Sequence, residues 1–149
     1  MLVSYLDYHR ATVRLKCAGV PEADAHRAVL PSPLVTLAGL VTHLRWAEHY
    51  WFEAMMAGEK DRSPGTAADP DGDWRPPPGV PLADLLEEYE AACARSREIA
   101  AGLPLDHTAS DDRRPATLRW VLVHMIEETA RHNGHADVVR EFLDGTTGE

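Results

Sequence analysis

The sequence is short of cysteine, of long apolar runs and of positive charge, and each shortage removes a class of protein. Its two cysteines, Cys17 and Cys93, lie far apart and form no C-x-x-C pair. They offer no disulfide framework, and the simplest expectation is two free thiols acting as small buried hydrophobes in a reducing cytoplasm. No apolar stretch approaches the roughly 20 residues that span a bilayer. Residues 1–10 already carry Asp7, His9 and Arg10, so they do not read as a secretory leader. Lys and Arg number 15 against 24 Asp and Glu, a formal net charge of −9. Nucleic acid and an anionic membrane are therefore not expected as partners, because both need a cationic face. Strand-like alternation is missing too. So are a Gly-x-Ser-x-Gly elbow and a phosphate-cradling glycine loop, which leaves no ready-made nucleophile.

What is present is helical periodicity. The 149 residues, 44% of them hydrophobic, suit a single domain over 1–149 with a real core. Four long helices are predicted. The first covers residues 2–18, with Tyr5, Leu6, His9, Val13 and Lys16 on one face, and Gly19 to Pro21 end it. A connector over 21–33 has room for one helical turn at 22–27. The second helix covers 36–57, started by Thr36 or Ser32-Pro33 and stopped by Gly58. Its stripe is Leu37, Leu40, Leu44, Ala47, Trp51 and Met55. Residues 59–81 are too rich in Pro and Gly for regular helix, and a loop of that length is usually functional or a crossover. The third helix covers 82–103, with Leu82, Leu85, Leu86, Tyr89, Cys93, Ser96 and Ile99 inward and a charged outer face. A loop over 104–115 follows. The fourth helix covers 117–143, capped by Thr117 and stopped by Gly145. Its seam is Leu118, Leu122, Met125, Thr129, His132, Ala136, Val139 and Leu143, the 4-3 spacing of a bundle helix. The fold class is all-α, an antiparallel four-helix bundle.

The informative residues are polar ones on apolar stripes. His132 falls on the seam of the last helix. Glu128 lies four residues before it and His124 four before that, so the three stack along one edge of the stripe. A carboxylate near a core is costly unless paired or bound to a metal. Glu and His four apart can present an oxygen and a nitrogen to one point. On the second helix His43 adjoins the Leu40/Leu44 row, whereas His49 lies farther round beside Arg45 and is expected to be exposed. His43, Glu128 and His132 together form a two-histidine, one-carboxylate set with room for an open position, the pattern of a catalytic metal. His135, one turn beyond His132, is an alternative ligand. His124 has two open readings, a residue that orients Glu128 or a half-buried histidine without a role. Arg131 and Arg140 are candidates to meet an anionic substrate or are simply solvated. Trp74 is placed to line a pocket mouth, and the other three tryptophans read as core or interface anchors.

The segment 40–44, LVTHL, followed by Glu48 and Trp51, resembles the histidine-bearing helix of the DinB-like superfamily. The run 123–137, VHMIEETARHNGHAD, is similar to that family's last helix. The nearest likeness is to an actinobacterial, uncharacterised branch called mini-circle-like, and it covers nearly the whole chain. The resemblance implies an up-down-down-up bundle with a long second-to-third helix connection. It also implies a metal held by one histidine of the second helix and two residues four apart on the last. Many members carry His at both last-helix positions. Glu128 departs from that, in the manner of the related mycothiol-dependent maleylpyruvate isomerase. Several relatives are thiol transferases, so the likeness implies a low-molecular-weight thiol of the mycothiol type as cosubstrate.

The expected cofactor is one divalent ion, zinc first, with nickel, iron and manganese compatible with the same ligands. Such an ion can hold a thiol as thiolate or generate hydroxide. The first activity gives a thiol transferase or isomerase on an unknown small molecule, the second a metal-dependent hydrolase. A non-catalytic, stress-associated metal-binding protein is the reading from a different class. A cytoplasmic homodimer is expected, from the spare aromatic residues and the frequency of two-fold dimers.

Overall fold

The computed structural model describes residues 1–109 and 115–148. The chain forms α1 (Leu2–Cys17), a single turn α2 (Glu22–Ala25), α3 (Leu37–Glu48), α4 (Leu82–Ala101) and α5 (Leu118–Asp144). α3 runs on without a break into a π-helix, His49–Met56, and a 3₁₀ turn, Gly72–Trp74, interrupts the long loop. Among the described residues there is no strand, only one isolated bridge between Thr108 and Thr117. No described helix is long and apolar enough to cross a membrane. The expected loop 104–115 is irregular where described, and its residues 110–114 lie outside the described part.

The caps fall where the sequence put them. The Thr36 hydroxyl accepts the Gly39 N–H at 2.9 Å, and the Thr117 hydroxyl accepts the Trp120 N–H at 3.2 Å. Gly145 ends α5 at φ 76°, a left-handed conformation that a side chain would resist. α1 packs mainly on α5, and α3 mainly on α4. The inward residues match the predicted stripes on α4 and α5. On α1 the buried face is Leu6, Arg10, Val13 and Cys17, while Tyr5 is 61% exposed. The expected α1 stripe is therefore rotated, because Arg10 turns inward to an acidic partner.

The core divides into two apolar clusters. One gathers Val13, Leu40, Leu44, Leu85, Tyr89, Cys93, Ala136 and Val139. The other gathers Leu6, Trp51, Phe52, Met55, Ile99, Leu122 and Met125. On each helix a buried polar residue separates the two: Arg10 on α1, Glu48 at the end of α3, Ser96 on α4, and Thr129, His132 and Asn133 on α5. A polar layer thus crosses the middle of the molecule. Its centre is a two-pronged pair, in which Arg10 Nε and Nη2 donate to the two Glu48 oxygens at 2.8 and 2.6 Å. Asp7 takes a further Arg10 N–H at 2.9 Å.

The π-helix explains a second departure. His49 is not exposed as expected but buried at 2%, directly after fully buried Glu48. The i→i+5 pattern loosens the turn, so neighbouring pairs Glu48/His49, Trp51/Phe52 and Met55/Met56 all face inward. The Arg62 backbone N–H donates to His49 Nε2 at 3.0 Å, pinning the start of the long loop.

Candidate metal centre

Each member of the donor set is positioned by a different element. His43 lies on α3, held in a stretch where residues 37–42 are all buried. Glu128 and His132 are one turn apart on α5, so their side chains emerge over the same patch. The loop turn at Gly72–Trp74 closes over them. Gly39 lets this turn approach: a Cβ there would sit 2.3 Å from the Leu34 carbonyl oxygen and 3.1 Å from that of Trp74. Gly39→Ala should cost about 1–3 kcal/mol through overpacking. It should also shift the Trp74 turn, read as a lower Tm together with an altered near-UV tryptophan signal. A normal spectrum at unchanged Tm would show the contact to be slack.

The structure brings His43, Glu128 and His132 together. One ligand atom from each lies within 4.8 Å of the others, so the set could hold a metal ion. Glu128 Oε1 is 3.1 Å from His43 Nε2 and 3.2 Å from His132 Nε2. The outer nitrogens are engaged elsewhere. His43 Nδ1 is 2.8 Å from Asp73 Oδ2, and His132 Nδ1 is 3.2 Å from His135 Nδ1. Trp74 stacks on His43 at 4.1 Å between ring centres and 12° between planes, and meets His132 edge-on at 5.1 Å.

These distances constrain the protons. Asp73 is an acceptor, so His43 Nδ1 donates to it. In neutral His43 the lone pair of Nε2 then faces a carboxylate oxygen. Burial, and after it the positive neighbours His132 and Arg131, hold His135 below the ordinary histidine range. His135 is thus the neutral partner that can accept the His132 Nδ1 proton, which leaves His132 Nε2 facing the same oxygen. Three electron pairs converge. Two added protons or one cation must sit among them, and a cation satisfies all three at once. The electrostatics agree: hydrogen bonds from His132 and His43 outweigh burial and hold the Glu128 carboxyl well below the usual carboxylate range. Burial opposes charge on His43, but Asp73 and Glu128 overcome it and raise the group above its usual value.

The other predicted residues are placed differently. His124 is not brought onto Glu128; its ring stacks on Trp120 at 5.1 Å and 11° and meets Trp51 edge-on at 4.8 Å. His135 stands behind His132 and outside the converging set. Arg140 is spent on structure, donating to the Lys16 and Ala18 carbonyls at 2.8 and 3.1 Å, where it closes the C-terminus of α1. Arg131 pairs with Glu127, one turn back on its own helix. The residue that sequence reasoning missed is Asp73. It sits next to Trp74 in a Pro- and Gly-rich loop, where no periodicity marks a functional carboxylate.

A cavity of about 620 Å3 opens on His43 and Glu128. Its remaining wall is Trp46, Tyr50 and Trp51 on one side and the loop residues Ser63 and Thr66 on the other. That volume suits a small molecule. No protein thiol is at hand. Cys17 and Cys93 are free and buried, and burial pushes each thiol up to about 12.

Helices throughout and an inward-facing His–Glu–His donor set beside a small-molecule cavity define an all-helical protein that could hold a divalent ion. The chain matches the family model described as MST, Mycothiol-S-transferase, over residues 1–145, and it belongs to that family. No curated protein and no solved structure matches it.

Proposed function

We propose that this protein is a metal-dependent S-transferase or isomerase that uses a low-molecular-weight thiol of the mycothiol type. The ion, zinc first, is held by His43, Glu128 and His132. In this reading the four long helices adopt the up-down-down-up arrangement of DinB-like proteins, with the loop between α3 and α4 as the lid-side crossover. The single observation that carries it is the convergence of three ligand atoms within 4.8 Å on a cavity able to admit a small molecule. Membership of the transferase family supplies the thiol.

A bound divalent ion lowers the pKa of a coordinated thiol and keeps it as the nucleophilic thiolate near neutral pH. The chain's own residues do the rest. Asp73 fixes the ring of His43 with Nε2 inward, and His135 does the same for His132. Trp74 covers the His43 ring and keeps water off it. Transfer forms a carbon–sulfur bond to the acceptor as the bond to the displaced group breaks, and that group departs with the electron pair while the thiol proton passes to solvent. With both cysteines buried, the sulfur must come from outside the protein.

Metal analysis of the purified chain, followed by thermal shift against mycothiol, bacillithiol and glutathione in zinc buffer, tests this reading. One equivalent of metal and a Tm rise of several degrees with a thiol, absent after chelation, is the expected result. A full equivalent of metal with no response to any thiol would favour the non-catalytic metal-binding alternative.

A further inference from the structure

Trp51 is a wall shared by two cavities. The first is the one that reaches His43 and Glu128. The second, of about 460 Å3, is lined by Trp51, Pro115, Ala116, Trp120 and His124. Their chemistries differ. The first carries hydroxyls and carboxylates, from Ser63, Thr66, Asp73 and Glu128. The second is lined by aromatic and apolar groups and one imidazole, with no carboxylate, amine or guanidinium among them.

Two features tie the second cavity to the metal centre. His124 lies on α5 one turn before Glu128, about 6 Å along the helix axis. Trp51 bridges the two spaces, 4.8 Å from His124 and 5.2 Å from Trp120 between ring centres. Trp120 itself is 50% exposed although its ring is stacked on His124. Core packing does not account for a tryptophan with half its surface in water.

Transfer of sulfur brings two molecules to one point. The thiol carrier needs the polar cavity, because that is the one open to His43 and Glu128. We propose that the apolar cavity seats the acceptor, and that the acceptor carries a neutral, planar aromatic or conjugated body stacked between Trp51 and Trp120. This rests on the transfer reading above for there being an acceptor at all. The selectivity follows from the lining. An anionic acceptor would lose its hydration with no cationic partner to replace it. A neutral ring gains area burial and offset stacking from two tryptophans at once.

The test is calorimetric binding of 1,3-dinitrobenzene, a neutral planar ring that does not react with thiols, to the full chain with and without zinc. Its anionic counterpart, 3,5-dinitrobenzoate, is titrated in parallel, and zinc content is measured on the same samples. Saturable binding of dinitrobenzene, about tenfold tighter than of the benzoate, is expected. Trp120→Ala should weaken it about tenfold and Trp120→Phe should restore most of it, with zinc content unchanged in both. Equal affinity for the two probes, or binding indifferent to Trp120→Ala, would overturn the assignment. So would a Trp120→Ala chain that sediments as monomer where the parent is a dimer while still binding the probe, since the face would then belong to a second copy. Dinitrobenzene binding through Trp120 in a chain that takes up no metal would leave the seat standing and remove the transfer reading instead.

Discussion

Glu48→Ala should lower the unfolding free energy by about 3–5 kcal/mol, the range for breaking a buried ion pair from one side. The substitution removes both acceptors of Arg10, whose side chain is 4% exposed. Arg10 cannot discharge itself: burial opposes its charge, but Glu48 outweighs burial and raises its pKa further. The guanidinium would be left between two apolar clusters with only Asp7, itself 35% exposed, to neutralise it. Removing both partners is a different matter. Arg10→Met with Glu48→Leu fills the same space without charge and should recover most of the loss, because desolvation of the pair offsets much of its attraction. Urea unfolding in chelator, so that metal does not contribute, measures both. A single-variant loss under 1 kcal/mol would mean that water reaches the pair and that the polar layer is wetter than its burial implies.

That pair also shows where sequence reading stops. The helices were legible because their apolar residues recur at helical spacing over four or more turns, and their ends carry Thr36, Thr117 and Gly145. His132 and Glu128 were legible as polar residues on an apolar seam, and His43 as a histidine beside a leucine row. Arg10 and Glu48 stand 38 residues apart on different helices, each reading alone as an ordinary charged residue on a helix flank. Asp73 lies 30 residues from His43 in a loop, beyond the reach of any periodic argument. His49 was misplaced for a physical reason: α-helical spacing was carried through a segment that is a π-helix, and the extra width of that turn rotates His49 from the outer face to the core. Nothing in the composition of residues 49–56 announces the change of helix type. The polar layer, assembled from single residues on four helices, becomes visible only once the helices are docked.

Replacing His132 by Ala should abolish stoichiometric metal binding. The reasoning is geometric. His132 supplies one of three converging electron pairs, and two remaining donors, His43 and Glu128, do not make a closed set for a divalent ion. The loss has a stability counterpart. Metal that binds only the folded chain adds about 2.7 kcal/mol when it stands at a hundred times its Kd. The parent should therefore melt several degrees higher in zinc buffer than in chelator, and the His132→Ala chain should melt at the same temperature in both. Three companion variants separate ligands from supports. Asp73→Asn keeps a group beside His43 Nδ1 but can no longer offer a charged acceptor, and should weaken affinity about 10–100-fold without removing the site. His135→Ala should weaken affinity in the same way; a complete loss there, with metal retained by His132→Ala, would move the ligand one turn along α5. His49→Ala should keep a full equivalent of metal. Because His49 is buried and accepts the Arg62 N–H, it should nonetheless cost about 1–3 kcal/mol of stability in chelator. Metal content by elemental analysis and Tm in the two buffers give each variant a place on both axes. A His132→Ala chain that still held one tightly bound equivalent, with His135→Ala unaffected, would refute the proposed ligand set.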